Sequence, residues 1–386
     1  MASTTWVGGS SGNETDWATG ANWSTGSVPT TSAHVVIPNT THNCALDQSR
    51  TIGSLTIESG GTIVGGGFTL FIQSEGDAAG GTEHFAVNND GIISGELNLN
   101  ITTAATTSCD FAGSTGKFHD VTINHASCIV NLESTTQFTG DLTITLGKIV
   151  CGGNTVEITG NTRIGPASGG ADQATLQCDA SAMFLGSGKT DDYGLTVVKG
   201  GTFTGGSGNH TIGSVNVANF SDAKCTLTSA NTTIDGEDAG DNKALEIGTN
   251  ATFAHGSGTV IHTLTANTQY NRTGGVVTLN NFTLNTNSNL QVSPAMTCEG
   301  DFTLTSGEFD TSGSNYPLTV QGNTVVTGTL TGNNSTLIFG TDGVHGSTES
   351  GALHVESSGS LTFGSGDLTA FSGFTAKGTN TVTSTG

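Results

Sequence analysis

The chain repeats itself at an offset of 160 residues, and this repeat restricts the available folds more than any single motif. TIGSLTI begins at Thr51 and TIGSVNV at Thr211, while FTGDLTIT begins at Phe138 and CEGDFTLT at Cys298. The loop-like SEGDAAGG from Ser74 answers to IDGEDAGD from Ile234 at the same spacing. VEITGNT from Val156 answers to LTVQGNT from Leu318 at 162, and GLTVVKGGTFTGGSG from Gly194 resembles GALHVESSGSLTFGSG from Gly351. One such match carries little weight in a Gly- and Thr-rich chain. Several in the same order describe a tandem duplication, the layout of a solenoid whose units contact only their neighbours. The register gives an N-terminal segment 1–32, a first unit 33–192, a second unit 193–352 and a truncated third unit 353–386.

A shorter beat runs inside each unit. Strand-like runs centre near Ile52, Phe68, Val87, Leu97, Phe118, Phe138 and Val156, many of them 16 to 21 residues apart. They are rich in Val, Ile, Thr and Phe, are bounded by Gly and Asn, and alternate as in Asp141-Leu142-Thr143-Ile144-Thr145. That period suits strands with one buried face. Helix formers are scarce and Gly interrupts every candidate window, so no long helix is expected. The spacing matches one coil of a parallel β-helix, with Gly and Asn at corners where φ is often positive. The predicted fold is all-β, an elongated right-handed parallel β-helix (β-solenoid) with an internal duplication of about 160 residues. A string of β-sandwiches would need longer strands and hairpin turns, and Asn-Gly or Asp-Gly flanked by full strands is rare, with Asp90-Gly91 and Asp342-Gly343 as exceptions. Ile52, Leu55, Leu142, Ile144, Ile158, Ile212, Val215, Phe302, Leu304 and Val320 are expected inside, with a minority of misses because alternation cannot bury every member of a run.

Composition excludes several function classes. The net charge is −22 with only 10 Lys plus Arg, so neither a nucleic-acid backbone nor an anionic membrane surface is an expected partner. No apolar stretch approaches the roughly 20 residues of a membrane span, so no membrane insertion is expected. MASTTWVGG lacks the basic start and apolar centre of a Sec signal, which predicts synthesis and assembly in a host cytoplasm or export by another route. The cysteines Cys44, Cys109, Cys128, Cys151, Cys178, Cys225 and Cys298 are scattered singly, without CxxC, and read as buried free thiols.

All three tryptophans, Trp6, Trp17 and Trp23, lie in the first 23 residues, within W-V-G-G and then T-D-W-A-T-G-A-N-W-S-T-G-S-V-P-T. This run resembles the segment that opens many β-helical surface proteins of phages and bacteria. The resemblance covers about 35 residues and implies an N-terminal cap on a β-helix. Aromatic cover over the raw edge of a first coil is its physical rationale. The functional alternative is a glycan-stacking platform made by Trp6, Trp17 and Trp23.

Chemistry is sparse. Asp and Glu are mostly isolated, without the flanking pair of a glycosidase. Asp235, Glu237, Asp238 and Asp241 sit on one turn and could hold calcium, although their spacing is not that of an EF-hand, and a solvated loop is the plainer reading. No other cofactor is expected. The ten histidines form neither HExxH nor a triad and are expected at strand surfaces or corners. These features predict a non-enzymatic structural protein of a phage virion, an exterior decoration or fibre-type solenoid. The alternatives are a receptor-binding tail spike or fibre with glycan adhesion and depolymerase activity, and a bacterial surface adhesin. The expected location is the virion exterior. The expected partners are further copies in a homotrimer, other virion proteins and, on the spike reading, a host surface glycan. The stretch from about Leu353 shows no cap and is expected to be shielded by another subunit or by the particle.

Overall fold

The structure is a computed structural model that describes residues 3–77, 84–166, 173–238, 240–341, 352–371, 373–378 and 381–384. Strands dominate it. Among the described residues the sole helical element is a single 3-10 turn, Gly20–Asn22, and no helix is long and apolar enough to cross a membrane. Two compact units emerge, Met1–Phe184 with Val198–Thr204, and Leu185–Val197 with Gly205–Gly386. Each is a parallel β-solenoid, as the repeat predicts.

In the first unit one row of parallel strands runs from Ser3–Thr5 through His34–Ile37, Ser54–Ile57, His84–Asn89 and Thr106–Asp110. It continues through 129–132 and 147–150 to Ala174–Gln177 and Gly201–Thr204. A second row holds Arg50–Ile52, Phe68–Ile72, Leu97–Ile101, 121–123, 142–144 and Thr162–Ile164. Shorter pairings, such as Cys44–Ala45 on Thr62–Val64 and Thr136–Phe138 on Val156–Ile158, make the third side. Leu142 pairs with Thr162, so one coil here takes 20 residues. Among the described strand pairs Gly76–Asp77 runs antiparallel to His84–Asn89, and isolated antiparallel bridges join Trp6 to Trp23 and Asp238 to Lys243; residues 78–81 of the SEGDAAGG run lie outside the described residues.

The second unit repeats this plan strand for strand. Its first row begins Leu195–Val197, Val215–Val217, Lys243–Ile247 and Thr268–Arg272, then passes through 290–293 and 308–310 to Thr329–Thr331. Its second row begins His210–Ile212, Asn231–Ile234, Thr259–His262 and continues through 282–284 and 302–304. Even an irregularity recurs. Pairing of Val121–Leu132 with Leu142–Val150 slips around Asn124, and pairing of Asn281–Ser293 with Phe302–Asp310 slips around Asn285.

All ten residues expected inside are buried. No misses occur because Ile52 and Leu55 lie on different strands, Arg50–Ile52 and Ser54–Ile57, and the corner at Gly53 resets the alternation. Aromatic side chains meet edge-on in the core, within a coil as well as between coils. Phe111 meets Phe118 and Phe138 edge-on at 5.6 and 5.1 Å, and Phe302 meets Phe309 at 5.0 Å. Such pairs add about 0.5–1.5 kcal/mol beyond area burial.

Side-chain ladders tie the corners of successive coils. Asn98 Oδ1 accepts the Asp120 backbone N–H at 3.1 Å, Asp120 Oδ1 accepts that of Asp141 at 2.8 Å, and Asp141 Oδ1 accepts that of Asn161 at 2.8 Å. The second unit builds the same relay from Asn281 to Asp301 at 2.8 Å and from Asp301 to Asn323 at 2.9 Å. These contacts explain the repeated Gly-Asp and Gly-Asn pairs. A Cβ on Gly140 would lie 2.2 Å from Asp120 Oδ1, and one on Gly300 would lie 2.2 Å from Asn281 Oδ1. Neither glycine has positive φ, so close approach rather than left-handed backbone demands it, contrary to the expectation for these corners.

Candidate functional site

The tryptophan segment lies on the first coil. Ser3–Thr5 pairs with His34–Ile37, and residues 15–17 bond to Ala45, whose N–H donates to Thr15 O at 2.8 Å and whose carbonyl accepts from Trp17 N at 3.0 Å. Trp6 and Trp17 both meet Trp23 edge-on, at 5.0 and 4.7 Å. The Trp6 indole donates to His42 O and the Trp23 indole to Trp17 O, both at 2.8 Å. All three rings are buried. A sugar cannot stack on a ring face already covered by protein, so Trp6, Trp17 and Trp23 are corrected from a glycan platform to packing residues.

The four calcium candidates do not converge. Asp235 turns toward the loop at Ser187, accepting from Ser187 Oγ at 2.6 Å and Gly188 N at 2.9 Å. Asp238 accepts from Gly240 N at 3.1 Å, and Asp241 pairs with Lys243 at 3.0 Å. Glu237 is buried, its Oε2 has no partner, and burial followed by the charge of Asp238 pushes its carboxyl upward. Among the described residues no three His, Cys, Asp or Glu side chains group as metal ligands. Asp235, Asp238 and Asp241 are therefore loop-fixing residues in this geometry, and Glu237 is a buried carboxyl beside them. A cluster the sequence did not single out forms beside them. Lys243 donates to Glu246 at 2.6 Å, and Tyr193 OH donates to the other Glu246 oxygen at 2.7 Å. Burial lowers the Lys243 ammonium, yet its bonds to Glu246 and Asp241 outweigh that and the net shift is upward. Burial, then the Glu246 bond, pushes the Tyr193 phenol up. This is a satisfied ion network, without a free acid or nucleophile.

The histidines divide. His34, His210, His262 and His354 are buried, which corrects their expected surface placement; the inward positions of short strands take them. His345 lies outside the described residues. His262 accepts or donates to Thr268 Oγ1 at 3.2 Å and to Tyr270 OH at 3.4 Å, and burial lowers its pKa to about 4. The seven cysteines are buried free thiols. Burial pushes Cys128 up to about 11 and Cys225 to about 12, far from reactive thiolate character.

A feature with room for a ligand is a polar track in the second unit. A groove of about 650 Å³ is lined by Asn267, Asn287, Asn289, Thr305, Glu308, Thr329 and their neighbours. It shares Asn267 and Asn289 with a second hollow of about 240 Å³, lined also by Asn242, Gln269 and Gln291. Gln269 and Gln291 lead on to a third of about 260 Å³ beside Tyr316. Strand register creates the track, since Gln269 pairs with Gln291, Gln291 with Asp310, and Asn289 with Glu308. Gln291 Nε2 donates to Asp310 at 3.0 Å and Thr331 Oγ1 to Glu308 at 2.6 Å, so the floor is braced from the next coils. The sequence carries a signal for it that composition hides: N-T-Q at 267–269 and N-L-Q at 289–291, one coil apart. Comparison with family models, with curated proteins and with solved structures finds no match to the chain.

Proposed function

We propose that the chain is a non-enzymatic structural protein of a phage virion, an exterior decoration or fibre-type β-solenoid. The observation that supports this most is the corner relay. Asx side chains from Asn98 to Asn161, and again from Asn281 to Asn323, spend their acceptors on the backbone of the next coil. Polar groups committed to the scaffold in this way add rigidity and leave little for chemistry. The buried thiols and the Tyr193–Glu246–Lys243 network point the same way. The tryptophan segment, similar to that of β-helical surface proteins of phages and bacteria, favours a particle or cell surface over a metabolic role. A net charge of −22 keeps such a solenoid soluble before assembly. In the proposed assembly, copies pack side by side, three to a bundle, against other virion proteins.

The test is a copy-number inventory of purified particles by quantitative mass spectrometry. Hundreds of copies per particle are expected for a head decoration and a few tens at most for a fibre. Absence from particles overturns the reading. Purified protein is expected to release no reducing ends from host envelope polysaccharide, and release would turn the assignment toward a depolymerase spike.

A further inference from the structure

We propose that the amide-lined track of the second unit is a binding site for an uncharged oligosaccharide. The inference is independent of the virion assignment and rests on four observations. The first is chemistry. Asn267, Gln269, Asn289 and Gln291 line adjoining hollows on adjacent coils. An amide offers both donor and acceptor, which is what a ring bearing neighbouring hydroxyls needs. The Gln269 and Asn287 side chains make no hydrogen bond with any described residue, whereas Gln291 is held by Asp310. The site thus combines a braced amide with free ones.

The second observation is size and pitch. The main groove, about 650 Å³, falls in the range of ligand sites. Successive coils are stacked about 4.8 Å apart. That is close to the length one pyranose ring adds to an extended chain, so each coil presents its Asn/Gln pair to one sugar. The third is charge. No Lys or Arg lines any of the three hollows, Glu308 lies in the largest, and the chain carries −22 overall. Acidic sugars and phosphorylated ligands would be repelled, so the ligand is neutral. Tyr316 at the far end supplies an aromatic ring for a sugar's apolar face.

The fourth is an internal control. Register places Thr106, Ser108, Ile129 and Asn131 of the first unit where the second has Asn267, Gln269, Asn289 and Gln291. Lys148 stands where the second unit has Glu308. The inward residues keep their apolar character, as Val130 and Leu290 show. Two copies of one scaffold therefore differ in the outward residues of this face, and the amide grid belongs to one of them.

Isothermal titration and saturation-transfer NMR on the full chain test this, using neutral cello-, malto- and chito-hexasaccharides with an acidic hyaluronan hexasaccharide as comparison. At least one neutral probe is expected to bind, with the hyaluronan probe weaker. The double variant Gln269→Ala/Gln291→Ala should weaken that binding about tenfold or more. Ser108→Ala/Asn131→Ala, at the matching positions of the first unit, should leave it unchanged. Both pairs lie on outward strand positions, and unchanged circular dichroism confirms that each variant is folded. Failure of all three neutral probes to bind, preference for hyaluronan, or equal loss in the two double variants overturns the proposal.

Discussion

If close approach is what demands glycine at the corners, the cost of replacing Gly300 must depend on Asn281. A Cβ at Gly300 would sit 2.2 Å from Asn281 Oδ1, and its next neighbours, Asn281 Cγ and Asn280 O, are at 3.2 and 3.3 Å. Gly300→Ala must therefore push the Asn281 amide aside and break its 2.8 Å bond from Asp301 N–H. The lost bond is worth about 1 kcal/mol, and a displaced rotamer adds about 0.5–1.5 kcal/mol, giving a loss of about 1.5–2.5 kcal/mol. Asn281→Ala loses the bond alone, about 1 kcal/mol. In the double variant the bond is lost once and the clash is gone, so the expected cost is again about 1 kcal/mol, leaving a coupling of about 1.5–2.5 kcal/mol. Urea midpoints at unchanged slope measure the cycle. Hydrogen exchange at the Asp301 amide reports the corner directly, which matters because a solenoid can unfold in parts. Strict additivity would refute the argument, since the two residues would then not share one contact.

Three further outcomes follow from burial. Leu142→Ala, at a fully buried inward position, should cost about 2–5 kcal/mol in the same denaturation assay. His262, held neutral with a pKa of about 4 against 6.5 when unfolded, binds its proton less readily folded than unfolded. Its contribution is thus intact above pH 6.5 and is lost as pH falls toward 4, by about 3 kcal/mol, and His262→Gln should flatten that limb of a stability–pH curve. A thiol reagent such as Ellman's should label none of the seven cysteines in the native chain and all seven in guanidinium; rapid native labelling would contradict their burial.

The scaffold was legible because its determinants are local and periodic. Leu142 and Ile144 declare their strand by alternation, and the spacing from Leu142 to Thr162 declares the coil. What stayed hidden depended on contacts between coils. The glycines at 140 and 300 look like ordinary turn residues, and the acceptors that exclude a Cβ lie about 20 residues away. Trp6, Trp17 and Trp23 permit either an open platform or a packed cluster, and sequence does not record which side of an indole is covered. The Asp235–Asp241 turn offers a calcium candidate beside the plainer reading of a solvated loop, because its acids are neighbours in sequence. Asp235 instead faces Ser187, 48 residues away, and Asp241 faces Lys243.

The same distinction explains why the polar track is hidden in the sequence and why duplication matters to it. Inward residues of a solenoid are constrained from both sides, by the core and by the coils above and below. Outward residues answer only to solvent and to the side chain one coil away. After duplication, substitutions such as those separating Ser108 from Gln269 change the face while leaving the row intact, because Thr107 and Thr268 beside them still point inward. A ligand surface can therefore arise on one copy at little cost to stability. Gln291 also shows how it would be fixed in place: Asp310, one coil on, holds its amide. The relay that stiffens the corners through backbone acceptors thus has a counterpart on the face, where the acceptor orients a side chain rather than an N–H of the chain.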